Sequence, residues 1–168
     1  MKRLLYILSI VFLFSGCEKE ESYSAIPEIE YIDFSASYDN GPLGNNIVGT
    51  LTFSFIDGDG NIGFNENTNP ETPTIYDVFI YEYVKVNGEF VLNDTTNYWM
   101  PYFEEGIYRT FLKGTIDIEL TRIISSEDTA RYEFYIQDRA YNISNTETTP
   151  IIIYSELVQQ KATHFVFL

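Results

Sequence analysis

The stretch IVGTLTFSF, residues 47 to 55, sorts its side chains with period two: Ile47, Gly49, Leu51, Phe53 and Phe55 fall on one face, Val48, Thr50, Thr52 and Ser54 on the other. Successive side chains of a strand point to opposite faces, so this alternation predicts a strand with one buried and one wet face. The same signature recurs where Ile116, Ile118 and Leu120 alternate with Thr115, Asp117 and Glu119. It recurs again where Tyr132, Phe134 and Ile136 alternate with Arg131, Glu133, Tyr135 and Gln137. Further strands are expected over Ile29 to Ala36, Ile75 to Val86, Glu89 to Leu92, Ile151 to Tyr154 and Thr163 to Leu168. Asn87-Gly88 joins two of these runs, and both residues tolerate the positive φ of a type I′ hairpin turn. Ser155 to Lys161 suits one or two helical turns, and Asn65 to Thr74, with two prolines and little apolar content, suits a loop. About seven to nine short strands punctuated by turn residues predict an all-β, antiparallel, immunoglobulin-like β-sandwich, with a barrel as the alternative.

The chain opens with Lys2 and Arg3 followed by an apolar run from Leu4 to Phe14, which is too short to span a bilayer and has the layout of a secretory signal. Phe14-Ser15-Gly16-Cys17 resembles the lipobox of bacterial lipoproteins, in which the cysteine becomes the acylated first residue of the mature chain. Cys17 is the single cysteine, so lipidation would account for it and leave no internal disulfide. Ordinary cleavage after a small-x-small pattern is the alternative. Lys19, Glu20 and Glu21, just behind it, are similar to the charged signal that sends Bacteroidetes-type lipoproteins to the outer face of the outer membrane. The expected organisation is a signal peptide over 1–16, a lipidated tether over 17–27 and the sandwich over 28–168. Losing residues 1–16 removes Lys2 and Arg3 and takes the formal charge from −15 to −17. That charge disfavours nucleic acid and an anionic bilayer surface as partners, so membrane attachment is expected through acyl chains alone.

IDGDGNIGFNE, residues 56 to 66, places acids and glycines between two apolar runs. Asp57, Asp59, Gly60, Ile62 and Glu66 occupy the third, fifth, sixth, eighth and twelfth places of an EF-hand loop. The first place is Phe55 and the flanks are strands, so a helix-loop-helix hand is not expected. The expectation is a calcium site on a strand-ending loop, with Asp57, Asp59 and Asn61 as alternating oxygen donors and Glu66 or another loop completing it. In an immunoglobulin-like sandwich the loop leaving the second strand and the loop joining the last two long strands share one end. Asp138 and Asn142 lie on the second of these, so they are expected to join the site. The alternative is a glycine-rich turn with solvated acids.

Together LTFSFIDGDGNIGF, YRTFLKGTIDIEL and YEFYIQDRAYNISNTETTPII look like the small immunoglobulin-like surface lipoproteins of Bacteroidetes, over most of the mature chain. The resemblance implies location and fold, and little chemistry, since most such proteins have no assigned activity. Asp138-Arg139-Ala140-Tyr141-Asn142 resembles a turn before the last strand of bacterial immunoglobulin-like repeats, with Tyr141 where glycine is usual. A tyrosine there weakens the expectation of positive φ. Asp94-Thr95-Thr96 and Asp128-Thr129-Ala130 are similar to O-glycosylated triplets of that phylum, which places both segments at the surface.

No serine or cysteine stands in a nucleophile motif, and the single histidine, His164, falls in the expected closing strand as a surface residue. A carboxylate pair for glycoside hydrolysis has no support beyond the abundance of acids. The chain is therefore expected to act without catalysis, as a binding or scaffold domain for an unidentified protein or glycan. The aromatic cluster Tyr98, Trp99, Tyr102 and Phe103 around Pro101 raises a second reading, a glycan-binding accessory module of a nutrient-uptake system. Against it, tyrosine favours strands and covers sheet surfaces in any case.

Overall fold

The structure is a computed structural model that describes residues 22–39, 46–64, 76–102, 111–123 and 127–164. Cys17, Lys19, Glu20, Glu21, Glu66, Phe103 and the Asn65 to Thr74 loop lie outside the described residues. Two antiparallel sheets pack as a β-sandwich. Strands β1 (Glu28–Asp39), β2 (Asn46–Asp57) and β5 (Leu112–Ile123) form one sheet in the order β1-β2-β5. The other runs β4 (Glu89–Tyr98), β3 (Val78–Val86), β6 (Thr129–Ile136), β7 (Glu147–Thr148), with β8 (Ile152–Ile153) also on β6. The expected all-β, antiparallel sandwich is what the chain forms, with β1-β2-β5 packed on β4-β3-β6-β7.

The alternation of residues 47–55 carries through: every odd position from Ile47 to Asp57 is buried and every even one half-buried. Phe53 and Phe134 meet across the two sheets with ring centroids 5.0 Å apart, amid Leu51, Val78, Ile80 and Ile136. Burial of such side chains, each contributing about 1.5–3 kcal/mol relative to exposure, is the main term holding the sheets together. Gly49 belongs to the inward series because the Phe34 ring lies over it, where a Cβ would come within 2.5 Å of Phe34 Cζ.

Two strands depart from a simple alternation. In β1 the register shifts between Tyr31 and Asp33, leaving Ile32 exposed and moving the buried phase from Ile29 to Phe34 and Ala36. Such a bulge inserts one unpaired residue and so flips every later side chain. In β4 a second bulge at Asn93 carries the strand past Leu92 to Tyr98, longer than expected. The β3–β4 hairpin turns at Asn87 (φ 51°) and Gly88 (φ 93°), as the type I′ reading requires.

The expected closing strand over Thr163 to Leu168 is not formed at its start: Thr163 and His164 end helix α1 (Tyr154–His164), and residues 165–168 lie outside the described residues. The helical turns expected over Ser155 to Lys161 are thus extended, in a run that holds the good helix formers Glu156, Leu157, Gln159, Gln160, Lys161 and Ala162. Its start is capped across the chain, with the Tyr154 and Ser155 N–H groups donating to the carbonyl and carboxylate of Asp128 at 3.0 and 2.8 Å. The surface expectation for the second triplet fails at Ala130, which is fully buried where β6 pairs with β8.

Candidate metal centre

The register places one set of ends together. Glu28 faces Ile56, Asp57 faces Leu112, and Val78 faces both Ile136 and Tyr98. Hence β1, β3 and β5 start, and β2, β4 and β6 finish, at the same end of the sandwich. Asp57 is the last residue of β2 in one sheet, and Asp138 follows β6 in the other. The two loops meet as expected, and Asp57, Asp59 and Asp138 bring carboxylate oxygens within 4.8 Å of one another, close enough to hold a metal ion.

Each turn is wound so that its acid points inward. The Asn61 N–H donates to Asp57 Oδ2 at 2.8 Å, and the Asn61 side-chain amide donates to Asp59 Oδ2 at 2.8 Å. Gly60 and Gly63, at φ 68° and 84°, supply the left-handed conformations, and Ile62, with no exposed surface, anchors the loop in the core. In the second loop the Asn142 N–H and side-chain amide both donate to Asp138, at 2.7 and 2.8 Å. Asn142 thus fixes the orientation of the Asp138 carboxylate. Tyr141 takes φ 66° despite its side chain, and its N–H donates to the Asp138 carbonyl. The loops are joined by the Arg139 N–H to the Asn61 carbonyl and by the Arg139 guanidinium to the Ile62 and Gly63 carbonyls at 3.2 and 2.8 Å.

Asp57 is the unusual member. It is fully buried, and its Oδ1 has no hydrogen-bond partner; the buried Asn61 Oδ1 is also without one. Burial, then the Asp59 charge, push its carboxyl up to about 6, with Asp138 adding to the rise and the Asn61 N–H opposing it. An orphaned, desolvated carboxylate oxygen facing two like charges is costly unless a proton or a cation sits among them. All donors available are oxygens, which suits a hard cation.

Sequence reasoning missed two buried acids. Asp77, fully buried just before β3, accepts from the Met100 N–H at 2.8 Å and is raised to about 6 chiefly by burial. Glu82 lies in phase with Val78, Ile80 and Val84 on the inward face of β3, a signal legible in the alternation. It is met by Arg122 of β5 at 3.1 Å, by the Tyr132 hydroxyl at 3.0 Å and by the Asn93 amide.

The aromatic cluster is divided. Trp99 is 55% exposed beside a groove of about 440 Å³ between the β4 and β5 edges. Tyr98 is half-buried and spends its hydroxyl on the Glu119 carbonyl at 2.9 Å, closing the flank between the sheets. Tyr102 is exposed away from the groove lining, with the Arg139 guanidinium 4.8 Å above its ring. On the outer face of the larger sheet Tyr135 stacks on Phe79 and Tyr81, so part of the tyrosine content covers that surface.

Compared with family models, curated proteins and solved structures, the chain matches none.

Proposed function

We propose that this chain is a surface-exposed, outer-membrane lipoprotein, acylated on Cys17 and exported by Lys19, Glu20 and Glu21, whose sandwich works without catalysis as a binding or scaffold domain clamped by one calcium ion. The observation that carries the cation reading is the fully buried Asp57, with an unpartnered Oδ1 inside a three-carboxylate cluster that spans both sheets. Calcium takes six to eight oxygen ligands in flexible geometry, so carboxylates from two loops, the Asn61 carbonyl oxygen and water suit it better than the stricter octahedron of magnesium. Asp57, Asp59, Asn61 and Asp138 are the ligands within the described residues, and Glu66 is a further donor by sequence. An ion there joins the two sheets covalently unlinked by any disulfide, since Cys17 is the only cysteine.

Cell fractionation tests the anchor and export. Cys17→Ser is expected to release the protein from membranes. Changing Lys19, Glu20 and Glu21 to Ala is expected to leave it membrane-bound but protected from protease added outside the cell. If the triple variant is still shaved, the export reading falls.

The second reading, a glycan-binding module, is favoured by the exposure of Trp99 alone. Trp99→Ala is expected to change stability by less than about 1 kcal/mol, because surface substitutions rarely do more. On this reading it abolishes the fluorescence response to a bound polysaccharide, which a glycan array identifies first. Unaltered glycan affinity in the variant removes Trp99 from any such site.

A further inference from the structure

The segment leading from the amino terminus into β1 is seated directly on the cation loops. Gly58, the residue after Asp57, donates its N–H to the Ser24 carbonyl at 2.8 Å. Its lack of a side chain is required there, since a Cβ would lie 2.3 Å from the Tyr23 oxygen and 2.4 Å from the Ser24 oxygen. Asn142, which grips Asp138 through two hydrogen bonds, also reaches the Ala25 carbonyl at 3.5 Å. Tyr23 packs edge-on against Phe111 with centroids 4.8 Å apart, and Pro27 is fully buried. The packed unit therefore begins before residue 28. Residues 23–25 bridge the two loops that supply the clustered carboxylates, one contact on each.

We infer that cation occupancy at Asp57, Asp59 and Asp138 and docking of residues 22–27 are a single coupled equilibrium, so that calcium sets how far the domain stands from its membrane anchor. This rests on the calcium and anchor readings above. Without a cation, repulsion among the three carboxylates drives the 57–61 and 138–142 turns apart, and Gly58 and Asn142 can no longer hold one strand of chain between them. With a cation, the turns are held at the spacing the segment spans. Coupling of this kind is reciprocal: what calcium does for the segment, the segment does for calcium. The reach changes accordingly. From Cys17 to Ser22 the chain spans at most roughly 18 Å, and from Cys17 to Glu28 roughly 40 Å, at the limit of about 3.6 Å per residue.

The experiment uses the full chain in detergent, with calcium or chelator at matched ionic strength. Calorimetric titration with calcium reads the cation site. Hydrogen–deuterium exchange of peptides covering residues 22–27 and Gly58 reads the docking, and peptides from the Asn87–Gly88 hairpin at the opposite end serve as reference. Calcium is expected to slow exchange over 22–27 and at Gly58 by at least about tenfold while leaving the hairpin unchanged. Tyr23→Ala, which removes the ring packed on Phe111, is expected to abolish that protection and to weaken calcium affinity about fivefold, within the usual range of such couplings. Gly58→Ala is expected to do the same from the other side of the contact. Calcium binding with unchanged exchange over 22–27, uniform slowing of all peptides, or a Tyr23→Ala protein that loses docking yet keeps its affinity would each overturn the coupling and leave the cation site standing. Failure of calcium to bind at all overturns both.

Discussion

Replacing Arg122 by Met is expected to destabilise the domain by about 3–5 kcal/mol, the usual cost of stripping a buried charge of its partner. Glu82 is 7% exposed and the Arg122 side chain 10%, so neither charge is satisfied by solvent. Arg122 also donates to the Glu127 carbonyl at 2.7 Å and lies 4.8 Å from the Tyr154 ring centroid, which ties β5 to the start of α1 as well as to β3. In the variant Glu82 keeps the Tyr132 hydroxyl and the Asn93 amide but loses its counter-charge. The double variant Glu82→Leu, Arg122→Met is expected to recover most of the stability, because an apolar pair of similar volume often equals or exceeds a buried ion pair. Urea midpoints for the two single variants and the double variant decide it. A single-variant cost under about 1 kcal/mol would mean that the flank between β3 and β5 is held by packing and not by this pair.

Calcium at a hundredfold excess over its dissociation constant is expected to stabilise the protein by about 2.7 kcal/mol, the mass-action effect of a ligand that binds only the folded state. For a domain of this size that is a rise in Tm of roughly 5–10 °C at pH 7. Asp59→Ala should remove the difference between calcium and chelator. The pH dependence in chelator has a definite sign. Asp57 and Asp77 are both raised to about 6, so each binds its proton more tightly folded than unfolded. Their contribution is fully present below the unfolded carboxylate range near pH 4 and is lost as pH rises toward 6. Calcium requires Asp57 ionised and competes with that proton, so the calcium-induced gain should be larger at pH 7 than at pH 5. Asp57→Asn should flatten part of the chelator profile and leave the Asp77 part. Ionic strength must be matched, since screening alone favours the compact state of a chain with formal charge −15. Equal melting curves in calcium and chelator would return residues 56–66 to a glycine turn.

Period-two patterning was enough to place β2, β5 and β6 and the inward residues of each, because in a strand the side-chain face depends on nothing but parity. Within the expected strand β1, one extra residue at Ile32 exchanges the faces, and no residue type there announces it. The Asn87-Gly88 turn was legible for the same local reason, as both residues accept positive φ. Tyr141 was not, since its φ of 66° is imposed by the hydrogen bonds around Asp138 and runs against the preference of its own side chain. At the closing run, the helix expected over Ser155 to Lys161, capped by Asp128 26 positions before Tyr154, extends through Thr163 and His164, where a strand was read.

The candidate site divides along the same line. Oxygen donors at alternate positions over Asp57, Asp59 and Asn61 belong to the sequence, as does the rule that two loops of a sandwich share an end. Burial of Asp57, the loss of a partner for its Oδ1, and the seating of Tyr23 to Ala25 on Gly58 and Asn142 belong to the tertiary structure. Desolvation and like-charge proximity depend on what packs around a group from distant parts of the chain. A string of residues carries the carboxylates, and only their convergence across two sheets makes of an ordinary acidic turn a cluster that could hold a metal ion.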